Sequence, residues 1–138
     1  ETNETLFPRV EEMLDALTGE STLLGIATGK SRHGLDRLLA LHRLTERFVT
    51  TVTADEAASK PAPEMIHRAV GQTGVSLGRT VMVGDSTYDV LMAAAAGAPA
   101  LGVCWGYQPA DKLRAAGARH VADEVMDIPR LVNAICPP

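Results

Sequence analysis

Apolar residues along this 138-residue chain recur in two alternating rhythms. Val10, Met13, Leu14 and Leu17 stand at i, i+3, i+4 and i+7, behind Pro8 and ahead of Gly19, which predicts an amphipathic helix entered through a proline and stopped by a glycine. The run TLLGIAT, residues 22–28, is short, apolar and followed by Gly29, the pattern of a strand buried on both faces. Ser31 can cap a helix that buries Leu35, Leu38 and Leu39. FVTTVTA, residues 48–54, is rich in β-branched side chains and predicts the next strand. KPAPEMIHRAV, residues 60–70, opens with prolines where a first helical turn tolerates them and offers Met65, Ile66, Ala69 and Val70 to a core. TVMVGD at 80–85 predicts a strand, 87–96 an Ala-rich helix ending at Gly97, and PALGV at 99–103 another strand. A short helix near 110–116 closed by Gly117, a weaker strand at 119–122, and a helix burying Ile128, Leu131, Val132 and Ile135 complete the series.

Strands alternating with helices at these lengths imply βαβ units, hence an α/β fold with a parallel sheet and helices on both faces. The length fits one domain, and no repeat, low-complexity tract or interdomain linker interrupts it. Ligands of such sheets bind outside the carboxyl ends of the strands. Chemistry is therefore expected among residues 28–31, 55–60, 85–89 and 104–108.

Composition narrows the partners. The chain is 46% hydrophobic and 22% charged, close to an average globular profile, with a formal net charge of −4 and its 13 Lys and Arg dispersed, so a nucleic-acid partner is not expected. Cys104 and Cys136 lie far apart, without zinc-type spacing, which fits a reducing cytoplasm. No apolar run approaches the length of a membrane span, and ETNETLFPRV is acidic and polar, unlike a signal peptide.

Asp85 ends a strand and Asp89 follows one helical turn later, so both carboxylates can reach one rim. Two close carboxylates repel unless a cation or proton separates them, and Mg²⁺ suits one or two carboxylates plus a substrate phosphate. The plainer alternative is that Asp85 caps the helix and Asp89 is a first-turn acid favoured by the helix dipole. Thr28, with the amides of Gly29 and Lys30, can form a small anion nest or an ordinary turn. Lys60, stiffened by prolines, can hold its ammonium over the strand ends or stay solvated. The histidines show no metal-ligand spacing, and GVCWGYQ offers Trp105 and Tyr107 either as a substrate wall or as loop packing. GIATGKS approaches a phosphate-binding P-loop but is one residue too short between its glycines.

Thr28 after an apolar strand, Lys60 in KPAPEM, and Asp85 and Asp89 in VGDSTYD, in that order, resemble the haloacid dehalogenase-like hydrolases. Through LFPRVEEMLDAL, GDSTYDVLMAAAAGAPALGVCWGY and LRAAGA the chain is similar to their phosphoglycolate phosphatase-type members, from about Leu6 to the last helix. The resemblance implies a Rossmann-like core and a Mg²⁺-dependent phosphatase acting on a small phosphorylated metabolite, phosphoglycolate or a sugar phosphate, through an aspartyl-phosphate. It implies that Thr28 and Gly29 bind the transferring phosphoryl group, that Lys60 stabilises its charge, that Asp85 ligates Mg²⁺, that Asp89 is a second ligand or an orienting acid, and that Ser86 lines the pocket. Other activities of the superfamily (phosphomutase, phosphonatase, dehalogenase), or a non-catalytic phosphate-binding or interaction module, are the competing expectations.

The chain departs from the family at its nucleophile. No two aspartates stand two positions apart, so the D-x-D-G-T stretch that carries nucleophile and general acid/base is absent, as is the helical cap that follows it. Residues 1–7 are expected to be the linker leaving that cap and 8–138 a partial core, inactive alone. In the family the nucleophile strand lies centrally, between the strands corresponding to 22–28 and 80–84. Without it two apolar strand edges are exposed and invite self-association.

Overall fold

The computed structural model describes residues 8–138; the linker expected at 1–7 lies outside the described residues. The expected elements form in the expected order: α1 (Val10–Gly19), β1 (Gly25–Ala27), α2 (Arg32–Leu41), β2 (Thr50–Val52), α3 (Glu64–Thr73), β3 (Met82–Gly84), α4 (Thr87–Ala96), β4 (Ala100–Val103), α5 (Ala110–Ala116), β5 (His120–Ala122) and α6 (Asp127–Ile135). Single 3₁₀ turns at Thr45–Arg47 and Leu77–Arg79 were not expected. Ser31 caps α2 as predicted, accepting the Gly34 amide. Gly97, at φ 90°, ends α4 by donating to the Ala93 and Ala94 carbonyls, a conformation that favours glycine.

Strand β4 is buried along its whole length because β3 and β5 flank it in parallel and helices cover both faces. On one face Leu101 and Val103 join Leu14 and Leu17 of α1 and Ile128 and Leu131 of α6. On the other, Ala100 joins Met65 and Ile66 of α3, Val90 and Met92 of α4, and Leu113 of α5. This period-2 division of a continuous apolar run is what a strand between two helical layers requires.

The sheet is in two pieces, β1–β2 and β3–β4–β5, each parallel. Here the structure corrects the expectation for residues 22–28. Only three of them form β1, and they are not buried on both faces: Gly25 is exposed, Ile26 and Ala27 half-buried. The reason is that β1 has one neighbour. Its other edge opens on a cavity of about 800 Å³ whose opposite wall includes Val81, Met82 and Val83 and whose sides include Ile66 and Val132.

The hydrogen-bond pattern tells which backbone groups face that slot. The Leu24 carbonyl accepts the Val49 amide just ahead of β2 and the Thr28 amide donates to the Val52 carbonyl, so by the alternation of a parallel ladder Gly25 and Ala27 turn their backbone groups the other way. The Met82 amide bonds to the Pro99 carbonyl, so Val81 and Val83 face the slot from β3. Among the described residues no helix is long and apolar enough to cross a membrane.

Candidate functional site

The carboxyl ends of both sheet pieces open at one rim, because the loop after β2 reaches the turn after β3: Lys60 Nζ lies 2.6 Å from Asp89 Oδ1, between residues 29 apart in sequence. Asp89 is buried and Lys60 half-buried, so this charge-assisted bond is shielded from water on most sides. The lysine is thus paired at the rim and not solvated, one of the two alternatives its place ahead of Pro61 and Pro63 left open.

Asp89 has a second task. Ser86 is the N-cap of α4; its hydroxyl accepts the Asp89 amide at 3.3 Å while Asp89 Oδ2 accepts the Ser86 amide at 3.3 Å, a reciprocal capping box. The helix cap is therefore Ser86 and not Asp85, which corrects the plainer reading of that aspartate. Gly84 makes room for the arrangement, since a Cβ there would sit 2.5 Å from Asp89 Cγ. With one oxygen on Ser86 and the other on Lys60, Asp89 is fixed from both sides.

Asp85 differs. It is half-buried at the end of β3, and its carboxylate has no hydrogen-bond or ion-pair partner among the described residues. Gly106 packs against it so closely that a Cβ there would lie 2.7 Å from Asp85 Cβ. No group of three His, Cys, Asp or Glu side chains able to hold a metal occurs among the described residues. One unpartnered hard-oxygen ligand beside a clamped one is a partial donor set, and it fits a cation such as Mg²⁺ that keeps several waters and takes oxygens from elsewhere.

Thr28 stands at the end of β1, its amide on the Val52 carbonyl and its hydroxyl accepting the Lys30 amide at 3.1 Å. No protein acceptor takes the Gly29 amide among the described residues, and Gly29 is exposed. Thr28 and Gly29 make no hydrogen bond to Lys60, Asp85 or Asp89; they lie on the β1 side of the slot and the acids on the β3 side. Trp105 packs against the core and Tyr107 is exposed, which decides for loop packing over a substrate wall at Trp105.

One cluster escaped the sequence reading. Arg32, the first residue of α2, donates to Glu56 through Nε (3.0 Å) and Nη2 (2.8 Å), and to the Thr51 carbonyl and hydroxyl, while its amide meets both Asp55 oxygens at 3.2 Å. The network ties the loop carrying Thr28 and Gly29 to the one leading to Lys60. An arginine in a first helical turn opposes the helix dipole, a local signal that it serves elsewhere; apart from Asp36 one turn on, its partners Thr51, Asp55 and Glu56 lie 19 to 24 residues away and leave no trace in periodicity. The Arg32 guanidinium foremost, then the Thr53 amide, hold the Glu56 carboxyl at about 2, against an ordinary 4.5. Asp55 is lowered too, by the Thr53 hydroxyl and then the Arg32 amide.

A depressed folded-state pKa stabilises the fold fully above the unfolded value and ceases to do so as pH falls through the folded one. The urea midpoint of the wild type is therefore expected to exceed that of Glu56→Gln at neutral pH, and the gap to close on titration from about 4.5 towards about 2. A gap that is constant across this window would show that the Arg32 pairing does not act on stability.

Comparison with known proteins places these features in context. The family model described as "Haloacid dehalogenase-like hydrolase" matches residues 1–103. The chain is 37% identical over 131 residues to "Probable phosphatase IndB" of Dickeya dadantii, covering 94% of this chain and 57% of that protein. It is 36% identical over 130 residues to a phosphoglycolate phosphatase of Cupriavidus necator, again covering 94% of this chain and 56% of the relative. A HAD-superfamily hydrolase of subfamily IA, variant 1, from Geobacter sulfurreducens superposes with a TM-score of 0.77 at 28% identity, over 91% of this chain and 60% of that one. The chain thus spans less than two thirds of the length of the relatives it matches.

Proposed function

Because the chain belongs to the haloacid dehalogenase-like hydrolases, we propose that it forms the phosphate- and metal-facing part of a Mg²⁺-dependent phosphatase acting on a small phosphate monoester. The observation that carries this reading is the Lys60–Asp89 pair, which puts a shielded ammonium on the rim where Asp85 offers an unpartnered carboxylate. Relatives named phosphoglycolate phosphatase make that compound the leading substrate, with sugar phosphates next.

In the proposed reaction an aspartate on a D-x-D strand, supplied by chain beyond these 138 residues, attacks phosphorus. The P–O bond to the alcohol breaks, and water later splits the aspartyl-phosphate into phosphate and free carboxylate. Residues 8–138 act as the partial core and 1–7 as the connection to a cap. The Thr28 hydroxyl turns from accepting the Lys30 amide to donating to a phosphoryl oxygen, beside the Gly29 amide. Lys60 neutralises the developing charge, and Asp89 keeps its ammonium aimed while pinning the Ser86 turn. Asp85, with oxygens from elsewhere, would hold Mg²⁺, which polarises a phosphoryl oxygen when bound.

The test is an assay of the full gene product on an aryl phosphate with and without Mg²⁺. Mg²⁺-dependent phosphate release is expected, with none from residues 1–138 alone, followed by preference for phosphoglycolate in a substrate panel. Phosphate binding without hydrolysis by a full product that lacks a D-x-D strand would establish a binding module instead.

A further inference from the structure

The segment between β4 and α5 touches the Asp85 turn at three points that no site assignment uses. The Gln108 amide donates to the Asp85 carbonyl at 3.2 Å. The Gln108 side-chain oxygen accepts the Thr87 amide. Gly106 presses its backbone on the Asp85 side chain.

These contacts complete an account of the α4 N-terminus. A helix start leaves its first amides without intrahelical acceptors. Asp89 takes the Ser86 amide and Ser86 takes the Asp89 amide, but the box cannot reach Thr87, the first residue of the helix. Gln108 supplies that acceptor from 21 residues away. The Asp85 turn is thereby held by its own helix on one side and by Gln108 on the other, with the Asp85 carboxylate in between and free of partners.

We propose that Gln108 is a positioning residue for the metal site, a clamp that fixes the Asp85 carboxylate by holding the Thr87 amide and the Asp85 carbonyl, with Gly106 as the surface the carboxylate rests on. The proposal rests on the reading of Asp85 as a cation ligand. An unclamped aspartate has to be ordered at the moment a cation binds, and loss of a group that orients a metal ligand costs about 10–100-fold in affinity.

The two ends of the clamp can be cut separately. Gln108→Leu removes the acceptor. Thr87→Pro removes the donor at a position where proline suits a helix, after a residue in extended conformation, so the helix itself keeps its stability. With Mn²⁺ as an EPR-visible probe bound to the full gene product, each variant is expected to bind about 10-fold more weakly, and the double variant about 10-fold rather than 100-fold, because both cut one bond. An unaltered thermal midpoint in Thr87→Pro, which removes the donor and so leaves no amide unpaired, should accompany the loss, which a merely structural role would not give. Wild-type Mn²⁺ affinity in either single variant, or additive losses in the double, overturns the clamp while leaving Asp85 as ligand. Absence of Mn²⁺ binding by the wild type overturns both the clamp and the reading beneath it.

Discussion

Asp85→Asn is expected to lower the Mg²⁺-dependent turnover of the full gene product by about 10³-fold, equivalent to about 4 kcal/mol of transition-state stabilisation, without lowering its thermal midpoint. The two halves of this expectation come from one observation. A carboxylate that served the fold would have partners, as Asp89 has in Ser86 and Lys60 and as Glu56 has in Arg32. Asp85 has none among the described residues, and a second negative charge one helical turn away repels it. Neutralising it therefore costs no hydrogen bond and relieves a like-charge contact, so stability holds or rises slightly. Asparagine keeps the shape and one carbonyl oxygen, which isolates the charge as the quantity removed. Turnover with Mg²⁺ and a melting curve on the same preparations check the pair of outcomes. Unchanged turnover removes Asp85 from the metal site; a fallen midpoint shows that its charge supports the fold instead.

The sequence carried the architecture because local signals agree with one another. The alanine run ended by Gly97, Ser31 ahead of α2, and the continuous apolar residues of β4 each specify their element without reference to a distant partner. The sequence offered candidates where a residue stands at its own strand end, as Asp85 and Thr28 do, and where prolines stiffen a loop, as beside Lys60. Asp89 was half-read: its distance from Asp85 suggested shared metal binding, whereas its distance from Ser86 also makes the capping box that occupies one of its oxygens. Gln108 fell in the 104–108 stretch where chemistry was expected but without a partner, and Arg32 was missed, because each bonds across the gap between two loops and no periodicity encodes such a pairing. The strand at 22–28 was read as too long for a related reason. An apolar run reports that burial is intended, and β1 lacks the neighbour that would supply it.

That deficit leads to the second large effect. In the full gene product the amides of Gly25, Ala27, Val81 and Val83 are expected to exchange with deuterium at least about 10³-fold more slowly than in residues 1–138 alone, corresponding to about 4 kcal/mol of added local stability. These four residues turn their backbone groups into the slot between β1 and β3, from opposite sides. Two facing strand edges with free donors and acceptors, over an apolar floor, fit a single extended segment that pairs with both, joining the two sheet pieces into one five-plus-one-stranded sheet. The family's nucleophile strand has this central place, and a strand running parallel to β1 and β3 would deliver its carboxyl end to the rim where Lys60 and Asp85 stand. The Ile26 and Met82 amides, which face β2 and β4, serve as internal controls: they should gain less, since they are bonded in both forms. Protection at Ile26 and Met82 without protection at the four slot residues would mean general stabilisation with the slot left open. Slot residues already protected in the 138-residue chain, in step with a concentration-dependent mass, would instead identify a second copy as the occupant, pairing through the same edges.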